Sequence, residues 1–155
     1  MTHIFSPYEL ELFMRLVFAI LIGWLIGFER EALGKAAGTR TFALVCFGSA
    51  LFSIVSSEGF TEYIGTTAAD PTRITSLIVS GIGFLGAGLI LHRGERVEGL
   101  TTAAGLWATA ALGVTLGRGL YTLGIFSALL VFFLLMTSRW IHPEKWKDRK
   151  SHEVL

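Results

Sequence analysis

Four stretches of this chain, 41–57, 74–91, 99–117 and 119–138, run for 17, 18, 19 and 20 residues without a charge. A helix rises about 1.5 Å per residue, so roughly 20 residues cross the ~30 Å hydrocarbon core of a bilayer, with about 17 as the lower limit. Water cannot surround four such runs in a chain of 155 residues, because too little polar material remains to cover them. Only 16% of the residues are charged, against about 25% in soluble domains, and the mean hydropathy is +0.62. A fifth run, Leu16–Phe28, has only 13 uncharged residues, but its helix can begin earlier. Ser6-Pro7-Tyr8-Glu9 has the form of a capping box, with Ser6 at N-cap, Pro7 at N1 and Glu9 at N3. From Pro7 the helix reaches Phe28 in 22 residues and leaves Glu9, Glu11 and Arg15 at headgroup level. The expected fold is an all-α integral membrane protein with five transmembrane helices, at about 7–28, 41–57, 74–91, 101–116 and 120–138. A basic tail, 139–155, follows. The start has no basic segment before a cleavage site, so the first helix is expected to be retained.

The basic residues fall unevenly between the two sides. Arg30, Lys35, Arg40, Arg93, Arg96, Arg139, Lys145, Lys147, Arg149 and Lys150 share one side, whereas Arg73 and Arg118, with Arg15 near the edge, occupy the other. Short loops rich in Lys and Arg stay in the cytoplasm, which places the N-terminus outside and the tail inside. The tail WIHPEKWKDRKSHEVL has the composition of an inner-face anchor. No extended basic surface points to nucleic acid.

Within the third run, SGIGFLGAG (Ser80–Gly88) matches the G-x-G-x-x-G pattern of dinucleotide-binding folds. That pattern carries meaning only between a strand and a helix of a βαβ unit, with an acid about 20 residues on. Here apolar AGLIL follows and no such acid exists, so no nucleotide cofactor is expected. Spacing gives a different reason for the glycines. Ser76, Ser80, Gly83 and Ala87 step by 4, 3 and 4, as do Ala104, Ala108, Ala111 and Thr115, while Ala19, Gly23 and Gly27 step by 4. Small residues on one stripe let helix backbones approach closely in lipid. Gly81, Gly83, Gly86 and Gly88 are therefore expected to serve helix packing. A sharper alternative has spans 3 and 4 meet in a narrow seam along these stripes, or makes the glycines a flexible broken helix, lining a polar path.

Five motifs together resemble the MgtC/SapB family: Glu29-Arg30, Gly38-Thr39-Arg40-Thr41, Asp70-Pro71-Thr72-Arg73-Ile74, SGIGFLGAG, and GLTTAAGLW from Gly99 to Trp107. The resemblance covers about residues 10–125 and keeps the family order. It implies a bacterial inner-membrane, multi-pass protein tied to growth at low magnesium. For some members it implies survival inside host cells and restraint of the F-type ATP synthase. The ACT-like C-terminal domain of the best-known members is expected to be missing, so the resemblance is to the membrane domain alone.

Charges near membrane depth are costly and single out candidates. Glu29, Arg30 and Arg40 form an expected polar cluster at the cytoplasmic mouth, with an interfacial ion pair as the plainer reading. Asp70 opens span 3 as an N-cap with Pro71 behind it, and Arg73, opposed by the helix dipole, has Asp70 as its nearest partner. Ser80, Thr101 and Thr102 could bond across spans 3 and 4, or simply cap their own helix. Glu58, Glu62 and Asp70 are expected to be a solvated acidic loop rather than a metal site, since acids without fixed geometry do not hold a hard cation. Cys46 is expected to be a small buried apolar residue. His3, His92, His142 and His152 lack zinc spacing, and Ser80 has no histidine to activate it, so no enzyme is expected. The expected partners are the lipid bilayer, a second copy (a dimer) and a membrane protein such as the F-type ATP synthase. The expected function is non-enzymatic regulation, and the alternative is a small channel or transporter with a path along spans 3 and 4.

Overall fold

The computed structural model describes residues 6–59, 72–94 and 96–141. Five helices follow in order: α1 Pro7–Ala32, α2 Thr39–Glu58, α3 Thr72–Leu89, α4 Leu100–Gly117 and α5 Tyr121–Ile141. Each falls within a few residues of its expected position. The capping box is formed: Ser6 Oγ accepts the Glu9 N–H at 3.2 Å, and the Glu9 carboxylate accepts the Ser6 N–H at 2.7 Å. Helix α1 continues past Phe28, so Glu29 and Arg30 are helical rather than loop residues. The N-cap of α2 is Gly38, which has no side chain to offer, and Glu31 Oε2 from the last turn of α1 takes the Thr39 N–H at 2.8 Å instead. A carboxylate there also suits the positive end of the α2 dipole.

Helix α2 is the centre of the bundle, with α1 on one flank and α4 on the other. Glycines make both contacts close. A Cβ on Gly23 of α1 would lie 2.6 Å from the Phe42 carbonyl oxygen, and one on Gly113 of α4 would lie 2.2 Å from that of Cys46. Gly27 and Gly117 repeat these contacts one turn along, against Thr39 and Ala50. The pairings run antiparallel for α1–α2 and parallel for α2–α4, as an up-and-down bundle requires. Cys46 is buried at the meeting of the three helices, as its apolar surroundings foretold.

Outside this core the molecule is apolar toward its surroundings. Phe84 is 81% exposed, and Leu44, Leu77 and Leu134 are each 68% exposed. Surfaces of this kind are stable against lipid and not against water. Helices α1, α2 and α4 are long and apolar enough to cross a membrane. The apolar stretches of α3 and α5, 73–89 and 121–137, are shorter.

A short hairpin adds to the helical fold, and two expectations need correction. Strands β1 Leu91–Arg93 and β2 Arg96–Glu98 pair antiparallel between α3 and α4, where α3 ends at Leu89. Gly94 (φ +61°) turns the hairpin, and Gly99 (φ +89°) passes so close to the Leu89 carbonyl that a Cβ would lie 1.9 Å from its oxygen. Next, α3 is one continuous helix through Gly81–Gly88, so no broken helix exists there. Finally, the small-residue stripes named on α3 and α4 do not form their mutual contact. Ser80, Gly83, Ala104 and Ala111 are exposed, and α3 meets α4 at Gly86, where an added Cβ would lie 3.7 Å from the Ala103 Cβ. The packed face of α4 is Ala103, Leu106, Ala110, Gly113 and Gly117. Lipid-facing and protein-facing positions are equally apolar here, so spacing alone could not say which stripe faced inward.

This geometry separates two kinds of glycine. Gly113→Ala should lower the detergent melting temperature, equivalent to about 1–3 kcal/mol of overpacking. Gly81→Ala, where nothing lies within 4 Å of the added methyl, should leave it unchanged or slightly raised. Thermal unfolding of the two purified variants in detergent checks this.

Candidate functional site

Arg30 is the least expected side chain in the structure. It sits in the last turn of α1 with no exposed surface, a full positive charge inside the bundle. Its Nε and Nη2 donate to the two carboxylate oxygens of Glu29, the Nη2 contact being 2.7 Å. Nη2 also donates to the Leu135 carbonyl of α5 at 2.7 Å. Nη1 is buried with no hydrogen-bond partner among the described residues. The pair is therefore a forked salt bridge that ties α1 to α5 and keeps one arm uncommitted. Burying two charges is repaid only by close geometry, and removing one partner strands the other.

Arg40 stands at the same end, in the first turn of α2, but its side chain is exposed. It neighbours Thr39, whose N–H is held by Glu31, so the mouth divides into the ion pair Glu29–Arg30 with its buried guanidinium and two exposed charged groups, Glu31 and Arg40. Thr102 and Thr101 begin α4 at this end as well, with Thr102 buried and Thr101 exposed. Ser80 lies midway along α3 on the outward face and joins neither threonine. Arg73 is at the opposite end of the bundle with its side chain exposed, and its carbonyl accepts from Ser76 Oγ at 2.7 Å. Asp70 and Glu62 lie outside the described residues. Glu58 receives the Tyr8 hydroxyl, which joins the start of α1 to the end of α2. The seven described candidates thus form no single cluster: Glu29 and Arg30 meet, Arg40, Thr101 and Thr102 share their end, and Arg73 and Ser80 stand apart.

The sequence reading missed two polar features. Ser49, Ser53 and Ser56 are buried on α2 and Thr109 on α4, and Ser49 and Ser53 lie at the α2–α4 contact, beside Gly113 and Gly117. Ser53 Oγ donates to the Val114 carbonyl across that contact at 3.2 Å, and Thr109 donates back to Gly105 at 2.8 Å. The 4 and 3 spacing of Ser49, Ser53 and Ser56 was the available signal. Arg15 is the other. Its Nη1 donates to the Gly117 carbonyl at 3.0 Å and its Nη2 to Glu11 at 2.6 Å, which pins the α4–α5 turn to α1. Among the described residues no group of three His, Cys, Asp or Glu is placed to hold a metal ion.

Apolar helices, a glycine-locked three-helix core and a buried ion pair at one end define a helical membrane protein. The model of the MgtC family matches residues 16–143. YhiD of Escherichia coli K12, named there as a proposed magnesium transporter, is 45% identical over 127 residues, covering 81% of this chain and 59% of YhiD. Protein MgtC of Brucella abortus is 43% identical over 125 residues, which is 81% of this chain and 49% of that protein. Protein SrpB of Synechococcus elongatus is 45% identical over 138 residues, covering 83% of this chain and 73% of SrpB. No solved structure matches. The chain belongs to the MgtC family, and it spans about half to three-fifths of the length of YhiD and the Brucella protein.

Replacement of Arg30 should be far costlier than that of Arg73. Arg30→Gln leaves Glu29 half-enclosed without its partner and should destabilise by about 3–5 kcal/mol. Arg73→Gln, on an exposed side chain, should stay within about 0.5 kcal/mol of the parent. Denaturant titration in mixed micelles measures both.

Proposed function

We propose that this protein is a non-enzymatic, multi-pass protein of the bacterial inner membrane, with its N-terminus outside and its basic tail in the cytoplasm. It regulates physiology under magnesium limitation or envelope stress by helix-to-helix contact with a membrane partner. The observation that supports contact is the outer face of α3. Ser80, Gly81, Gly83 and Gly88 are exposed, and a Cβ on any of these three glycines would have open space around it. Small residues that pack against nothing among the described residues of their own chain are suited to receive a helix from another, since close approach is what drives association in lipid. Beside them lies an apolar cleft of about 620 Å³ between α2 and α3, with Gly48 and Gly81 on its walls. A second copy is the first occupant to test, and the F-type ATP synthase, which the family resemblance suggests, is the second.

Transport is the competing reading, and the name given to YhiD favours it. The packing of a single chain gives it less support. Ser49 and Ser53 of α2 lie where helix backbones touch, and Ser53 and Thr109 are already bonded to carbonyls. A path along Ser80 and the Thr101-Thr102 hydroxyls would have to run between copies.

Two assays separate the readings. Gly83→Cys in membranes should form a disulfide-linked dimer, and Gly83→Leu should abolish self-association and partner retention at unchanged melting temperature. Liposomes loaded with a magnesium-sensitive dye should show no flux above empty liposomes. Flux that Gly83→Leu or Arg40→Gln alters, without partner retention, would favour the transporter.

A further inference from the structure

The α3–α4 hairpin carries an arrangement that nothing among the described residues explains. In its register Arg93 lies directly opposite Arg96, with Leu91 opposite Glu98 on the same face and His92 opposite Val97 on the other. Like charges placed directly across a strand pair destabilise it. A lone two-stranded hairpin is marginal in water even without that penalty. Every described residue of the two strands is exposed, and neither strand packs substantially on a helix. One guanidinium has partial relief: Arg93 Nε is 3.6 Å from Glu98 Oε2, an exposed and loose pair. Arg96 has no ion pair among the described residues.

The position of the hairpin supplies what is missing. It joins two apolar helices directly, from Leu89 to Leu100, so in a bilayer it is held at headgroup depth. The exposed Leu91, Val97 and Leu100 beside the arginines suit the boundary between headgroups and acyl chains. We propose that Arg93 and Arg96 form a two-guanidinium clamp for the phosphate of an anionic membrane lipid. Guanidinium forks match phosphate oxygens bidentately, and one phosphate between the two turns mutual repulsion into two charge-assisted contacts. Phosphate therefore holds the hairpin closed, and the hairpin fixes the spacing of α3 and α4 where the exposed α3 face begins. The clamp depends on the chain being in lipid, and not on which partner α3 meets.

Native mass spectrometry of the full chain in detergent, with added phosphatidylglycerol or phosphatidylcholine, tests it. The parent should retain phosphatidylglycerol in preference, and Arg93→Gln and Arg96→Gln should each weaken retention about fivefold. Arg118→Gln, an exposed arginine at the opposite end of α4, should leave it unchanged. Millimolar inorganic phosphate should fail to displace the lipid. Equal loss with all three variants, no loss with either hairpin variant, displacement by free phosphate, or a parent that retains no phosphatidylglycerol would each overturn the clamp. Melting temperatures of the hairpin variants measured without added lipid should match the parent, because neither side chain is buried; a drop there would also count against it.

Discussion

Backbone contact along α2 is the constraint on which the rest of this structure depends. Lipid offers helices no hydrophobic reason to associate, so they must gain from dispersion at close range and from polar contacts across the seam. Gly23 and Gly27 bring α1 against one side of α2, and Gly113 and Gly117 bring α4 against the other. Once these three helices touch, Ser53 reaches the Val114 carbonyl and Arg15 reaches that of Gly117. Cys46 is sealed at the centre. The peripheral helices α3 and α5 then attach to a framework already in place.

The polar ends of the bundle follow from that framework. Gly38 leaves the α2 N-terminus without a cap, and α1 ends close enough for Glu31 to supply one. Extension of α1 past the expected end brings Arg30 inside, where it holds α5 through the Leu135 carbonyl. A buried guanidinium is tolerable there because Glu29 precedes it on the same turn and neutralises it at once. The same end carries the exposed Arg40 and the hairpin arginines, so its inner layer is neutralised by the protein while its outer layer is left to the surroundings.

Much of the fold was legible because charge spacing is a coarse, robust signal. Uncharged runs located all five helices, and the Ser6–Glu9 box fixed the first boundary. The α1 stripe Ala19-Gly23-Gly27 was also readable as packed. The α3 and α4 stripes were not, because hydropathy distinguishes water from everything else and does not distinguish lipid from a neighbouring helix. Ser80-Gly83 and Ala110-Gly113 look alike in sequence, and only the assembled bundle shows that the second is inside. The hairpin was hidden for a different reason: HRGER looks like a charged loop, and three-residue strands leave almost no alternation to detect. At the candidate site, Glu29 and Arg30 were visible as charges near membrane depth. The burial of Arg30 depended on a carbonyl 105 residues away, which no local pattern encodes.

The most direct measurement of the central claim is labelling of α2 from within the bilayer by a lipid-soluble maleimide. Cys46 is fully buried between α1 and α4, whereas Leu44, two residues away on the same helix, is 68% exposed. If α2 is clamped as described, the native Cys46 stays unlabelled until the protein is denatured in SDS, while Leu44→Cys in a Cys46→Ala background is labelled readily. Equal labelling at both positions in the folded protein would mean that α2 does not occupy the centre of the bundle.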